Sequence, residues 1–386
     1  MKEYFANIKN SFKLKHYLNY FVVLCVFGLF TALYYAGALN RSTPTLLNQI
    51  AYSVILAVSL NLVVGFLGEL SLGHAGFMCV GAYIGTYVAN LMLDGGMNTQ
   101  LAIILAVLIG GVCAAVFGFV VGLPALRLRG DYLAIVTLAF GEIVRNICRN
   151  IPSFGGALGL VSNVYSANLS NKSVPLFLIT FVLLFLMLIV VQNLIRSKHG
   201  RAITAIRDNE IAAKSMGINV TYYKLFVFII SAFFAGTAGV IYASSVSPVI
   251  YSTFDYNYSI EILVMVVLGG MGSINGSIIA ATVITVLNFY LKAYLSEVAA
   301  LKTLVYAVIL IAMVIYKNAP ALKSFRDRYN PKAFIGKFIK LTRNHASDDA
   351  ARWDVITTKI EMNEVLSTDV IVTESVMSPD KEDKKK

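Results

Sequence analysis

Long apolar runs recur from Tyr20 to Tyr316, each set off from the next by a short polar or glycine-containing stretch. Hydrocarbon offers no partners to backbone N–H and C=O groups, so a chain that crosses it repeatedly must do so as helices or as a closed barrel. Barrel strands alternate in character over about ten residues. The runs here are mostly continuous and close to the roughly 20 residues that a helix needs to span hydrocarbon. The chain is therefore expected to be an all-α polytopic membrane protein. About ten spans are read, at 19–39, 46–66, 71–92, 100–126, 131–148, 174–195, 222–246, 259–268, 277–295 and 302–316. With 58% hydrophobic and 14% charged residues, an ordinary soluble domain is excluded.

Ten spans put both termini on one side. That side receives Lys2, Lys9, Lys13 and Lys15, then Arg127 and Arg129, the loop at 198–219, and Lys317, Lys323, Arg326 and Arg328. The other side receives Arg41, Asp94, the 151–173 loop with Lys172 as its charge, and 247–257. By the positive-inside rule, both termini and the basic loop are expected in the cytoplasm, with Arg145 and Arg149 running against the trend. The net charge of +11 thus belongs to loops rather than to nucleic-acid binding. The reading divides the chain into a cytoplasmic segment at 1–18, a transmembrane domain at 19–317 and a partly disordered cytoplasmic tail at 318–386. The basic start runs into the first apolar run with no small-residue cleavage site, so that run reads as a retained span. Within the tail, 330–341 reads either as a basic amphipathic helix on anionic lipid or as a sticky patch in a disordered segment.

Chemistry-bearing motifs are scarce. Cys25, Cys79, Cys113 and Cys148 lie in or at the end of apolar runs without metal-ligand spacing, as small buried residues do. The histidines are scattered, no nucleophile–base constellation appears, and no phosphate-binding G-x-x-x-x-G-K-[ST] loop is present. No enzyme activity, metal or cofactor is expected, and any ATP would be hydrolysed by a separate subunit.

The most informative loop is 200–217, GRAITAIRDNEIAAKSMG. Asp208 or Asn209 can cap a short helix, Glu210 suits its positive first turn, and Gly217 can end it. Ala212 and Ala213 give a small-residue face, while Arg201 and Arg207 supply directional contacts. Such a helix fits a groove on a partner protein, although an ordinary basic loop would look much the same.

Two glycine-rich interruptions, 65–76 and 269–276, read as broken or closely packed helices. They single out Asn61, Ser71, His74, Gly269, Gly270 and Gly272 as pathway candidates, against the alternative that these residues only pack helices. Glu142 and Arg145, three apart, read as a structural ion pair on one helix face.

Several segments carry a family resemblance. Glu210–Gly217 resembles the E-A-A-x-x-x-G loop of ABC-importer permeases, with Ile211 in the glutamate's register and Glu210 one residue early. Leu60–Gly65 with Leu70–Phe77 and Gly81–Tyr83 resembles an LNLxxGxxGxxSLGHAxFxxxGAY signature. Arg127–Tyr132 with Thr137–Ile143 and Arg145 resembles RLRGxYxAxxTLxFGEIxR, and Val267–Ser273 resembles VLGGxGS. These runs resemble the LivM-type permease subunits of branched-chain amino acid ABC importers. The resemblance implies an importer permease for leucine, isoleucine and valine in a bacterial inner membrane. It also implies a second homologous permease subunit, two cytoplasmic ATPase subunits and an extracytoplasmic amino-acid-binding protein. ATPase coupling would then run through Gly200, Arg201, Arg207, Asp208, Glu210, Ala212, Ala213 and Gly217. Related permeases for urea or short amides share such motifs, and a stand-alone secondary transporter is the third reading.

Overall fold

The computed structural model describes residues 28, 42–128, 130–170, 176–294, 308 and 311. Apart from those single positions, the expected spans at 19–39 and 302–316, the segment 1–18 and the tail lie outside the described residues.

Among the described residues eleven α-helices follow one another: α1 Ser42–Asn61, α2 His74–Asp94, α3 Thr99–Ala125, α4 Asp131–Asn150, α5 Asn163–Ser170, α6 Leu176–Arg196, α7 Lys198–Asp208, α8 Glu210–Ser215, α9 Val220–Ser244, α10 Tyr256–Gly269 and α11 Ile274–Tyr294. A π turn, Leu62–Leu67, prolongs α1. Among the described residues, the one pairing outside helices is an antiparallel bridge between Leu160 and Val249. The protein is all-α and polytopic. Among the described residues six helices are long and apolar enough to cross a membrane: Thr43–Leu67, α2, α3, α6, α9 and Ile274–Leu291.

The other two expected spans within the described region fold as helices of a different kind. Helix α10 has only 14 residues. Helix α4 is amphipathic: Leu133, Ala134, Thr137, Gly141, Val144 and Cys148 are buried, while Tyr132, Ile135, Ile143 and Ile147 are exposed. The loop expected at 151–173 also contains structure, two short 3-10 turns and α5.

Helix α9 lies at the centre, packed against α3, α2 and α1. Small residues allow this close approach. A Cβ on Gly81 would lie 2.1 Å from the Gly236 carbonyl oxygen, and one on Gly239 would lie 2.1 Å from that of Met78. Lipid tails are as apolar as leucine, so packing at this distance supplies association that hydrophobicity alone does not. Polar contacts add to it. The Thr180 hydroxyl on α6 donates to Asn48 Oδ1 on α1 at 2.5 Å, and Asn288 on α11 bonds Glu261 on α10.

The two arginines that oppose the charge bias have local partners. Arg145 pairs with Glu142 at 2.6 Å, and the Arg149 guanidinium lies 5.2 Å from the Tyr251 ring centroid. Local pairing and a cation–π contact reduce the cost of placing them there. Cys79 and Cys148 meet with their sulfurs 3.8 Å apart, a pairing of α2 and α4 that their sequence spacing did not reveal.

Replacing Gly81 with leucine is expected to destabilise this helix packing by at least the ~3 kcal/mol typical of severe overpacking. Loss of the monodisperse peak on size-exclusion of the solubilised protein would show it; an unchanged elution profile and thermal midpoint would contradict it.

Candidate functional site

The basic segment folds as two helices in series, each with its own cap. The Ser197 side chain accepts from the N–H groups of His199 and Gly200 and starts α7. Asn209, rather than Asp208, caps α8, accepting from the N–H groups of Ile211 and Ala212. Gly217, at φ 81°, ends the turn in the left-handed region, where the Ile218 N–H returns to the Ala213 carbonyl. Asn219 then caps α9 through the Tyr222 N–H. Three asparagine and serine caps thus divide a short stretch into three helices.

The expected loop residues take different positions. Gly200 is buried in the α6–α7 corner, where a Cβ would lie 2.0 Å from the Ile195 carbonyl oxygen. Arg201, Asp208, Ala212 and Gly217 are exposed. Ala213 is 4% exposed and packs within this chain, whereas Ile211 and Met216 are 73% and 82% exposed. The small-residue face therefore turns inward in part, and two large apolar side chains project outward.

Arg207 reaches into the transmembrane body. Its Nη1 donates to the Gly65 carbonyl at 3.1 Å, and its Nη2 donates to Asp208 at 3.0 Å. Gly65 belongs to the π turn, where the helix runs out of N–H partners and its last carbonyls carry the negative end of the dipole. A guanidinium is well suited to that place.

Beside it, Lys224 on α9 is buried at 3% exposure. Its Nζ lies 2.5 Å from Glu69 Oε1 and 3.2 Å from Glu210 Oε2. A buried ammonium is tolerated only with such partners. Sequence reasoning did not single out Lys224; its one signal was a lysine inside the otherwise apolar run YYKLFVF.

The two glycine interruptions meet. Between α10 and α11 the chain turns through Gly270 and Gly272, at φ 99° and 77°. The Asn61 side chain holds this turn. Its Oδ1 accepts from the Gly272 N–H at 2.9 Å, and its Nδ2 donates to the Ser273 carbonyl at 3.1 Å and to Ser277 Oγ at 3.0 Å. Gly65 abuts Gly272, where a Cβ on Gly65 would lie 2.2 Å from the Gly272 nitrogen, and Gly269 abuts Gly276, where a Cβ on Gly276 would lie 1.8 Å from the Gly269 carbonyl oxygen.

Helix α2 starts inside the body. The chain leaves the π turn at Gly68, runs without helix through Leu70–Gly73, and resumes at His74. His74 Nε2 lies 2.8 Å from Ser59 Oγ. The Ser59 hydroxyl already donates to the Leu56 carbonyl, so His74 is the donor of that pair. Ser59 lies eight residues before Leu67, about 12 Å along the helix axis, so α2 begins roughly two turns deep. The irregular stretch is satisfied from neighbouring helices: the Leu72 N–H donates to Thr137 Oγ1 at 3.0 Å and the Ala75 N–H to Ser259 Oγ at 3.0 Å. The Ser71 hydroxyl is buried and has no partner among the described residues.

Of the pathway candidates, Asn61, Gly269, Gly270 and Gly272 therefore share one cluster, while His74 lies in a second, deeper one. Among the described residues, no cluster of three or more His, Cys, Asp or Glu could hold a metal. At the basic end, α7 is bonded to the π turn that ends α1, and α8 shares Lys224 of α9 with Glu69 of the link into α2.

Comparison with known proteins gives a family. A family described as "branched-chain amino acid transport system / permease component" matches residues 42–314. The chain is 36% identical over 277 residues to the high-affinity branched-chain amino acid transport system permease protein LivM of Salmonella typhimurium, covering 65% of this chain and 62% of that protein. Against the LivM protein of Escherichia coli it is 36% identical over 274 residues, covering 64% and 63%. Against the LivH permease protein of Salmonella typhimurium it is 23% identical over 257 residues, covering 63% and 82%. The aligned region thus spans under two thirds of the length of the LivM relatives.

Replacing Asn61 with alanine strands the part-buried Gly272 N–H and removes one of the donors to the Ser273 carbonyl. The expected loss is about 1–3 kcal/mol, the usual cost of unsatisfied buried groups. A lowered thermal midpoint of the purified protein would register it, and an unchanged midpoint would show that Asn61 does not hold the turn.

Proposed function

The chain belongs to the family of branched-chain amino acid transport permease components, and from that membership we propose that it is a membrane subunit of an ATP-driven importer for leucine, isoleucine and valine. It forms the pathway together with a second, homologous permease of the LivH kind. Two cytoplasmic ATPase subunits supply the energy, and an extracytoplasmic binding protein delivers the amino acid. The chain itself transports and does not hydrolyse. It sits in a bacterial cytoplasmic membrane with ten spans and both termini inside. Residues 1–18 and 318–386 are its cytoplasmic extensions, and 19–317 is the permease domain.

The observation that carries this reading is the bonding of α7 to the π turn that ends α1 and of α8 to Lys224, which also holds the link into α2. A docking helix is useful only if its displacement reaches the pathway. Arg207 ties α7 to the π turn at Gly65, and Glu210 ties α8 to Lys224. Ile211, Ala212, Met216 and Gly217 offer an ATPase groove an exposed, largely apolar edge. Asn61, Ser71, His74, Gly269, Gly270 and Gly272 lie where the moving parts meet, and a branched-chain amino acid passes them with weak contacts that permit release.

Transport assays test cargo and coupling separately. In cells carrying the assembled system, excess unlabelled leucine is expected to abolish uptake of labelled isoleucine, and excess urea to leave it unchanged. Failure of leucine to compete would contradict the assignment. Replacing Gly217 with valine forces a β-branched residue to φ 81°, at about 1–2 kcal/mol of backbone strain. It is expected to lower uptake while the chain still inserts into membranes. Wild-type uptake by that variant would remove α8 from the coupling route.

A further inference from the structure

We propose that Lys224 is a positioning residue of the coupling machinery, joining α8 to the non-helical link that leads into α2. This rests on the docking role given above to α7 and α8. Lys224 lies on α9, four residues after its start, and a lysine there could extend toward water. It does not: it is 3% exposed and is held between two carboxylates that come from different parts of the chain. Glu69 belongs to the link between the π turn and His74, with a side chain 13% exposed. Glu210 is the first residue of α8, with a side chain 34% exposed. The sites are 141 and 155 residues apart in sequence (210 − 69 and 224 − 69), and one ammonium gathers them.

The charges explain why the joint transmits rather than merely packs. Two carboxylates and one ammonium leave one net negative charge. Without Lys224 the two carboxylates would face each other as like charges in a partly buried place, and α8 and the link would separate. With it, displacement of α8 stretches an ion pair whose other half is anchored on the link, and the link carries Ser71 and the buried start of α2. Parallel to this route, Arg207 holds the π turn that precedes the link. Glu210 is therefore engaged inward, and the partner-facing contacts of α8 fall to Ile211 and Met216. This also accounts for the register of the motif, in which Ile211 stands at the position where the resemblance would put a glutamate.

The test uses the complete complex, with both permeases and both ATPases, reconstituted in liposomes with the binding protein. K224M is expected to keep its ATPase subunits through purification but to lower leucine uptake per ATP hydrolysed by about tenfold or more, a coupling loss near 1.4 kcal/mol. Stimulation of hydrolysis by the loaded binding protein should fall with it, and K224R should restore part of both. Because K224M removes the ammonium from between two carboxylates, the triple variant E69Q/K224M/E210Q serves as the folding control: neutralising all three removes the repulsion. The triple variant is expected to fold, assemble and remain uncoupled. Wild-type uptake per ATP in either variant would overturn the proposal. Loss of both variants from the membrane would overturn it as well, by reducing the cluster to a folding element. A wild-type complex that moves no leucine would instead defeat the functional reading on which the proposal rests.

Discussion

Broken helices at membrane depth expose backbone groups that hydrocarbon cannot satisfy, and the Asn61 amide meets that demand at the α10–α11 turn. It accepts one bond from Gly272 and gives two, to Ser273 and Ser277. The opening of α2 is satisfied in the same way, with hydroxyls of Thr137 and Ser259 taking the N–H groups of Leu72 and Ala75. Side chains from intact helices thus do the work that a continuous helix would do for itself. The interruptions persist because neighbours hold them, and they move only if those neighbours move.

Two cations extend the arrangement to the basic end. Arg207 binds the carbonyl end of the π turn, and Lys224 bridges Glu69 and Glu210. Charge placement here does more than set orientation. Most lysines and arginines of a membrane protein stay in water, where their pairs contribute little. These two join separate segments, Lys224 at 3% exposure and Arg207 with a side chain 39% exposed. The close packing of α2, α3 and α9 around small residues gives the joined segments a rigid body to act against.

Much of this was legible in the chain. Continuous apolar runs required helices, and the bounds of α3 and α9 fall within a few residues of those read from the sequence. The division of 198–217 was legible from Asn209 and Gly217, because caps and left-handed stops depend on neighbouring residues alone. The junction was less legible, because it is built from contacts between residues far apart in sequence. Asn61 and Gly272 were each picked out, but nothing local said that the two glycine interruptions would touch. Lys224 was not singled out, because its burial depends on Glu69 and Glu210, which lie 155 and 14 residues before it in the chain. Ala213 looked as ready to dock as Ala212; only the packing of α8 separates them.

On this proposal α8, linked through α7 and Arg207 to the π turn, moves together with the α10–α11 turn that abuts Gly65, against the rest of the protein. Spin labels at Lys214 on α8 and Met271 in the turn, both exposed, give a distance within that moving unit. A second pair, Lys214 and Leu158, reaches the loop that follows α4. In the assembled complex, adding ATP is expected to leave the first distance narrow and unchanged while the second shifts. A first distance that changes with nucleotide as much as the second would contradict the account.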